Sequence, residues 1–122
     1  MAPEATVQVY EGIGGVDDAA ILQQIADDYT TSKSAKQISC SWSLSTDPNI
    51  SVACDDFAMN GQTFFNATGD YGAFVAGDTE PLPDSPEILT DEVTDVGGTE
   101  LTTFSPGGSW SSETTWDEPS IC

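Results

Sequence analysis

The chain has 122 residues, enough for one domain, with a hydrophobic content of 38% that supports a modest core. Its 21 acidic residues stand against two basic ones, Lys33 and Lys36, for a formal charge of −19. That balance excludes nucleic acid and anionic membrane surfaces, both of which call for a basic face. It opposes compaction at neutral pH by self-repulsion. It suits either an acidic milieu, where ordinary carboxyl groups take up protons, or high salt, where screening is short-ranged.

The first segment, Ala5 to Glu11, alternates β-branched and aromatic residues with polar ones and predicts a strand. Gly12-Ile13-Gly14-Gly15 then turns the chain. These glycines fit neither spacing of a phosphate-binding loop, and the surrounding charge argues against an anionic ligand. Asp17 predicts an N-cap, and Ile21, Leu22 and Ile25 place an apolar stripe on the helix that follows. Asp17 and Asp18 together favour the positive end of that helix, which explains the pair better than acid–base chemistry does. Thr30 to Ser34 reads as polar linker and Gln37 to Trp42 as the next strand.

Ser43 to Asn49 is predicted as loop. A second helix is predicted from about Val52 to Gln62, with Phe57, Ala58 and Met59 facing inward and Gly61 near its end. The central stretch, Phe64-Phe65-Asn66-Ala67-Thr68-Gly69-Asp70-Tyr71-Gly72-Ala73-Phe74, starts as a buried strand and breaks into small residues around one carboxylate. A strand ending this way presents its last side chains at the sheet edge where ligands of open α/β sheets sit. An ordinary Asp/Gly turn is the plainer reading of the same residues. Strand, helix, strand, helix, strand over residues 1–76 predicts a parallel sheet.

Residues 77–122 read as loop, edge strands and a hairpin. Gly77 to Pro86 is proline-rich loop. Ile88 to Val96 and Thr99 to Thr103 are predicted strands, and Asp91, Glu92 and Asp95 make the former edge-like and solvated. Pro106-Gly107-Gly108 and Ser109 to Trp116 predict a terminal hairpin, with Trp110 and Trp116 covering the edge of the core.

Cys40, Cys54 and Cys122 make an odd count. A buried thiol at Cys40 and a Cys40–Cys54 bridge in a secreted protein both fit the sequence. The absence of histidine and of a Cys-x-x-Cys pair leaves no transition-metal signature. Asn49-Ile50-Ser51 and Asn66-Ala67-Thr68 match the N-glycosylation acceptor pattern, the second at a predicted strand end. Met-Ala-Pro-Glu-Ala is not a signal peptide, so an extracellular location requires a secreted precursor. No run of about 20 apolar residues offers a membrane span.

Four stretches, in order, resemble the sedolisin family of serine-carboxyl peptidases. Ile38-Ser39-Cys40-Ser41-Trp42-Ser43 is similar to its Ser-x-Ser-Trp-Gly strand, and Asn66 to Phe74 to its strand ending in Gly-Asp-Ser-Gly. Pro83-Asp84-Ser85-Pro86 through Val96-Gly97-Gly98-Thr99 is similar to its Ser-Pro…Val-Gly-Gly-Thr segment, and Ser112-Glu113-Thr114-Thr115-Trp116 to its Glu-Thr-x-Trp. The resemblance implies the central part of a subtilisin-like α/β fold, with three layers and a mostly parallel sheet. It implies hydrolysis of peptide bonds in acid by a Ser-Glu-Asp triad, as an endopeptidase or tripeptidyl peptidase. A carboxylate base suits low pH, where a histidine would already be protonated.

On this resemblance Asp70 is the oxyanion-stabilising Asp. Ser41, Trp42 and Ser43 bind substrate backbone, and Ala67, Thr68 and Gly69 form one wall of the pocket before the scissile bond. Ser43 stands where the family has Gly, and Tyr71 where it usually has Ser; both reshape the cleft. The triad's Glu and Asp would precede Met1, and its Ser-Gly-Thr-Ser motif does not occur in the chain. Glu80 and Asp84 have a helical spacing, but Pro81 and Pro83 exclude a regular helix there. The expectation is therefore a chain with little or no activity alone. The family's calcium site belongs to a part not represented, so no cofactor is expected, and self-association through exposed sheet edges is expected. Two further readings remain: a non-catalytic acidic α/β binding or interaction domain, and a halophilic or acid-tolerant protein whose charge serves solubility.

Overall fold

The computed structural model describes residues 3–13, 17–32, 35–42, 44–69 and 91–116. It is mixed α/β. In chain order the elements are α1 (Asp18–Ser32), β1 (Gln37–Cys40), α2 (Asn49–Asn60), β2 (Thr63–Ala67), β3 (Val93–Val96), β4 (Thr99–Thr103) and β5 (Trp110–Thr115). β1, β2 and β3 form a parallel sheet in that order, and β4 and β5 pair antiparallel.

Helix α1 begins after Asp17, whose carbonyl accepts from Ile21 N at 2.8 Å. The Asp17 carboxylate itself turns back, accepting from Ile13 N at 3.1 Å. The helix runs through the predicted linker to Ser32. Hydroxyls of the final turn bond back onto the helix: Thr30 donates to Asp27 O at 2.8 Å and Ser32 to Asp28 O at 2.8 Å. Buried Tyr29 holds that final turn against the core. Residues polar in composition thus continue the helix, because their hydroxyls bond to carbonyls one turn back and Tyr29 buries its side chain.

Helix α2 starts three residues earlier than the sequence predicts. Asp47 is the reason: its carboxylate accepts from Asn49 N at 2.9 Å and its carbonyl from Ile50 N at 3.0 Å. Pro48, with φ −62°, has the preset angle of a first helical residue. Gly61 ends the helix in the left-handed region at φ 71°, as expected, with backbone bonds from Gly61 N to Ala58 O and from Gln62 N to Phe57 O. Phe57 faces inward, but Ala58 and Met59 do not; Met59 is 85% exposed. A helix with Ile50, Ala53, Cys54 and Phe57 buried turns the next two positions to solvent.

The core joins Leu22, Ile25 and Ala26 of α1, Ile50, Ala53, Cys54 and Phe57 of α2, Ile38 of β1 and Phe64 of β2. Phe57 and Phe64 meet edge-to-face, with centroids 5.7 Å apart and planes at 64°. Polar bridges tie the helices together: Gln23 Nε2 donates to the Asp56 carboxylate at 2.9 Å, and Asn60 Nδ2 to Ala26 O at 3.3 Å. Both helices lie on the sheet face that carries Ile38 and Phe64. Ser39, Phe65 and Thr94, on the other face, are exposed or half-buried.

Three expectations are corrected. Ala5 to Glu11 forms no strand; Tyr10 instead leaves this segment to pack on the core, its hydroxyl donating to the Asp28 carboxylate at 2.8 Å. Trp110 is 62% exposed rather than core-covering, because β4 and β5 pair with each other and not with the sheet. Of the strand predicted from Ile88 to Val96, residues 88–90 lie outside the described residues, Asp91 and Glu92 form a turn, and Val93–Val96 pairs with β2, with Asp95 exposed as expected. Cys40 and Cys54 are thiols with no disulfide between them, Cys40 half-buried and Cys54 fully buried; Cys122 lies outside the described residues. Asn66 is 1% exposed, which closes the second glycosylation pattern to modification in the folded chain.

Two substitutions test this packing by urea denaturation. Phe57→Ala removes one ring of the buried pair and is expected to cost about 3–5 kcal/mol. Gly61→Ala meets no atom within 4 Å, so it is expected to cost only the left-handed backbone penalty of about 1–2 kcal/mol.

Candidate functional site

The site follows from strand direction. β1 and β2 run parallel with Cys40 opposite Asn66, and β2 and β3 run parallel with Ala67 opposite Val96. The residues after each strand therefore leave the sheet at one edge: Ser41 and Trp42 from β1, Thr68 and Gly69 from β2, Gly97 and Gly98 from β3. Antiparallel pairing would have sent them to opposite ends.

At this edge Trp42 is 81% exposed, and Ser41, Ala67, Thr68 and Gly69 are exposed. Trp42 is steadied through its backbone, Trp42 N donating to Cys40 Sγ at 3.4 Å. Thr68 extends the ladder, its N–H and its hydroxyl both donating to Val96 O, at 3.2 and 3.4 Å. Gly69 then takes φ 93°, a region that a side chain makes costly, and turns the chain out of the strand. A cavity of about 320 Å³ opens here, lined by Ser39, Ser41, Phe65, Ala67 and Val96 with Cys40 and Asn66 beneath.

Behind the edge, Cys40, Asn66 and Asp95 form one row across the three strands. Asn66 is buried in the middle of it, its Nδ2 donating to Ala67 O at 3.3 Å. Sequence reasoning missed Phe65, Val96 and this row as parts of the site. The signal for them was register, which fixes which residues of separate strands stand side by side.

Of the two glycines after β3, Gly98 has a packing role, whereas Gly97 has room for a side chain's Cβ. A Cβ on Gly97 would lie 3.8 Å from the Thr68 hydroxyl, and one on Gly98 would lie 3.2 Å from Trp116 Cβ and 3.3 Å from its ring. Trp116 N donates to Gly98 O at 3.0 Å, and the Thr99 hydroxyl to the Glu113 carboxylate. The segments around residues 41, 68, 97 and 115, dispersed in sequence, thus meet in one neighbourhood.

Ser43 and Asp70, the remaining expected site residues, lie outside the described residues, as do Glu80 and Asp84. Among the described residues no hydrogen bond reaches the Ser41 hydroxyl, and no group of three or more His, Cys, Asp or Glu residues could hold a metal ion. No described helix is long and apolar enough to cross a membrane. The described arrangement is a sheet edge with exposed Trp42 and small side chains, beside a cavity that Phe65 helps to line. Searches of protein-family models, curated proteins and solved structures found no match to this chain.

Proposed function

We propose that this chain is the central part of a subtilisin-like peptidase domain of the sedolisin type, whose C-terminal sheet edge holds an extended peptide. One observation carries the reading. Ser41-Trp42, Ala67-Thr68-Gly69 and Val96-Gly97-Gly98, the pieces that resemble the family's motifs, converge on a single edge of a parallel sheet. That edge is where open α/β sheets bind ligands.

In this reading Ser41 and Trp42 hold substrate backbone, and Ala67, Thr68 and Gly69 form one wall of the pocket for the side chain before the scissile bond. Asp70 follows Gly69 in the chain. As a protonated carboxyl in acid it would donate a hydrogen bond to the oxyanion of the tetrahedral intermediate. One such donor contributes about 2.7–4 kcal/mol to a peptidase transition state. The serine nucleophile, its Glu base and the Asp that orients the base have no matching motif in the sequence, so the chain alone binds and does not cleave. The second reading, a non-catalytic acidic binding domain, is favoured by that same gap.

The test pairs hydrolysis with binding near pH 4, using a dye-labelled, end-blocked hexapeptide of alanine and phenylalanine. Hydrolysis at the blank rate is expected. Binding is expected to survive Asp70→Ala and to weaken at least tenfold in Thr68→Trp, which fills the pocket wall. Hydrolysis lost in Asp70→Ala would overturn the inactivity while upholding the peptidase reading. Absence of both hydrolysis and Thr68-dependent binding would overturn the peptidase reading.

A further inference from the structure

A larger opening lies on the other side of β1. The sheet order β1-β2-β3 leaves one edge of β1 without a neighbouring strand among the described residues. Lys36 O accepts from Thr63 N at 2.8 Å, so the backbone of residue 36 faces β2. Backbone groups alternate sides along a strand. The N–H and C=O of Ile38 and Cys40 therefore also face β2, and those of Gln37 and Ser39 face away from it.

Beyond that free edge runs the segment with strand-like alternation, Ala5 to Glu11, which pairs with nothing in the sheet. Val7 and Val9 are 80% and 70% exposed. Between this segment and β1 is a cavity of about 930 Å³, bordered also by Ile21, Leu22 and Ile25 of α1. A strand residue in a sheet takes up roughly 3.3 Å of length, 4.8 Å of width and 10 Å of depth, or about 160 Å³. The cavity thus has room for about six residues of extended chain. It is a slot between β1 and the unpaired Ala5 to Glu11 segment, with a helix along it.

We propose that this slot binds an extended segment of another polypeptide, which adds as a strand to the free edge of β1. Main-chain bonds to Gln37 and Ser39 supply the register, and alternate apolar side chains enter the cavity toward α1. Charge selects the partner. Glu11 and Asp18 stand on the cavity wall and the whole chain carries −19. A second copy brings the same charge to the contact, whereas a strand flanked by lysine or arginine is attracted. The occupant is therefore a cationic, alternating apolar segment. This inference rests on the free edge and the cavity, not on the peptidase reading.

The probe is the end-blocked peptide Lys-Val-Ser-Ile-Thr-Val-Lys, added to the full chain at pH 7 and low salt and followed by calorimetry. One-to-one binding is expected. It is expected to weaken at least tenfold in Ser39→Pro, which removes an edge donor while sparing the bonds to β2. Should that variant fail to fold, Val9→Lys carries the test, with at least a tenfold loss expected from an exposed position. A peptide with both lysines replaced by glutamate is expected to bind at least tenfold more weakly. Thr68→Trp, at the other site, is expected to leave binding unchanged. No binding of the lysine peptide, or binding indifferent to both Ser39→Pro and Val9→Lys, would overturn the proposal. So would sedimentation showing a dimer of the chain that Ser39→Pro or Val9→Lys abolishes.

Discussion

The parallel pairing of β1 with β2 is the constraint on which the rest depends. Two parallel neighbours cannot be joined by a tight turn; the chain has to travel back along the sheet before it can start the second strand. Helix α2 makes that return. It can do so stably only by burying Ile50, Ala53, Cys54 and Phe57, and the nearest apolar surface is the row Ile38–Phe64 with the flank of α1 beside it. The edge-to-face contact of Phe57 with Phe64 then links the crossover to the strand it delivers. Once that contact is made, both strand ends point the same way, and the gathering of their following residues at one edge is a by-product of connectivity.

The core built on this unit is small and one-sided. Its buried residues come from α1, α2, β1 and β2, while β3 adds only half-buried Val93. Cohesion therefore declines along the chain, from the two helices to the sheet edge to the hairpin. Exposed Asp95 of β3 and Asp91 and Glu92 just before it fit that gradient, since an edge strand with one solvated face loses little by carrying them. They also discourage unwanted pairing on that side.

Much of the helical framework was legible in the sequence. The apolar stripe of α1, the glycine stop of α2 and the alternation of β1 and β2 are local signals, and each is present where its residues indicate it. What was not legible depended on partners. Asp47 and Pro48 carry a helix-start signal, but it is masked by a loop-like neighbourhood of Ser, Thr and Asn. Thr30 to Ser32 look like linker until their hydroxyls are seen to bond back one turn along the helix. Ala5 to Glu11 has the alternation of a strand, and alternation is a necessary but insufficient condition: a strand needs a neighbour to pair with. Of the site, Ser41, Trp42 and the Ala67 to Gly69 stretch were named from short motifs, whereas Phe65 and Val96 entered only through register. Ser43 and Asp70 belong to the motif reading alone.

The hairpin β4–β5 is tied to the sheet through Gly98 and Trp116, while Leu101, Phe104 and Trp110 remain largely in solvent. Such an arm has few buried contacts to lose on opening, so its amide protons should exchange with solvent well before those of α1 and α2. The molecule then has two lifetimes rather than one. The helical core sets the persistence of the fold, and the Gly98–Trp116 clasp sets how long the sheet edge keeps its outer flank closed.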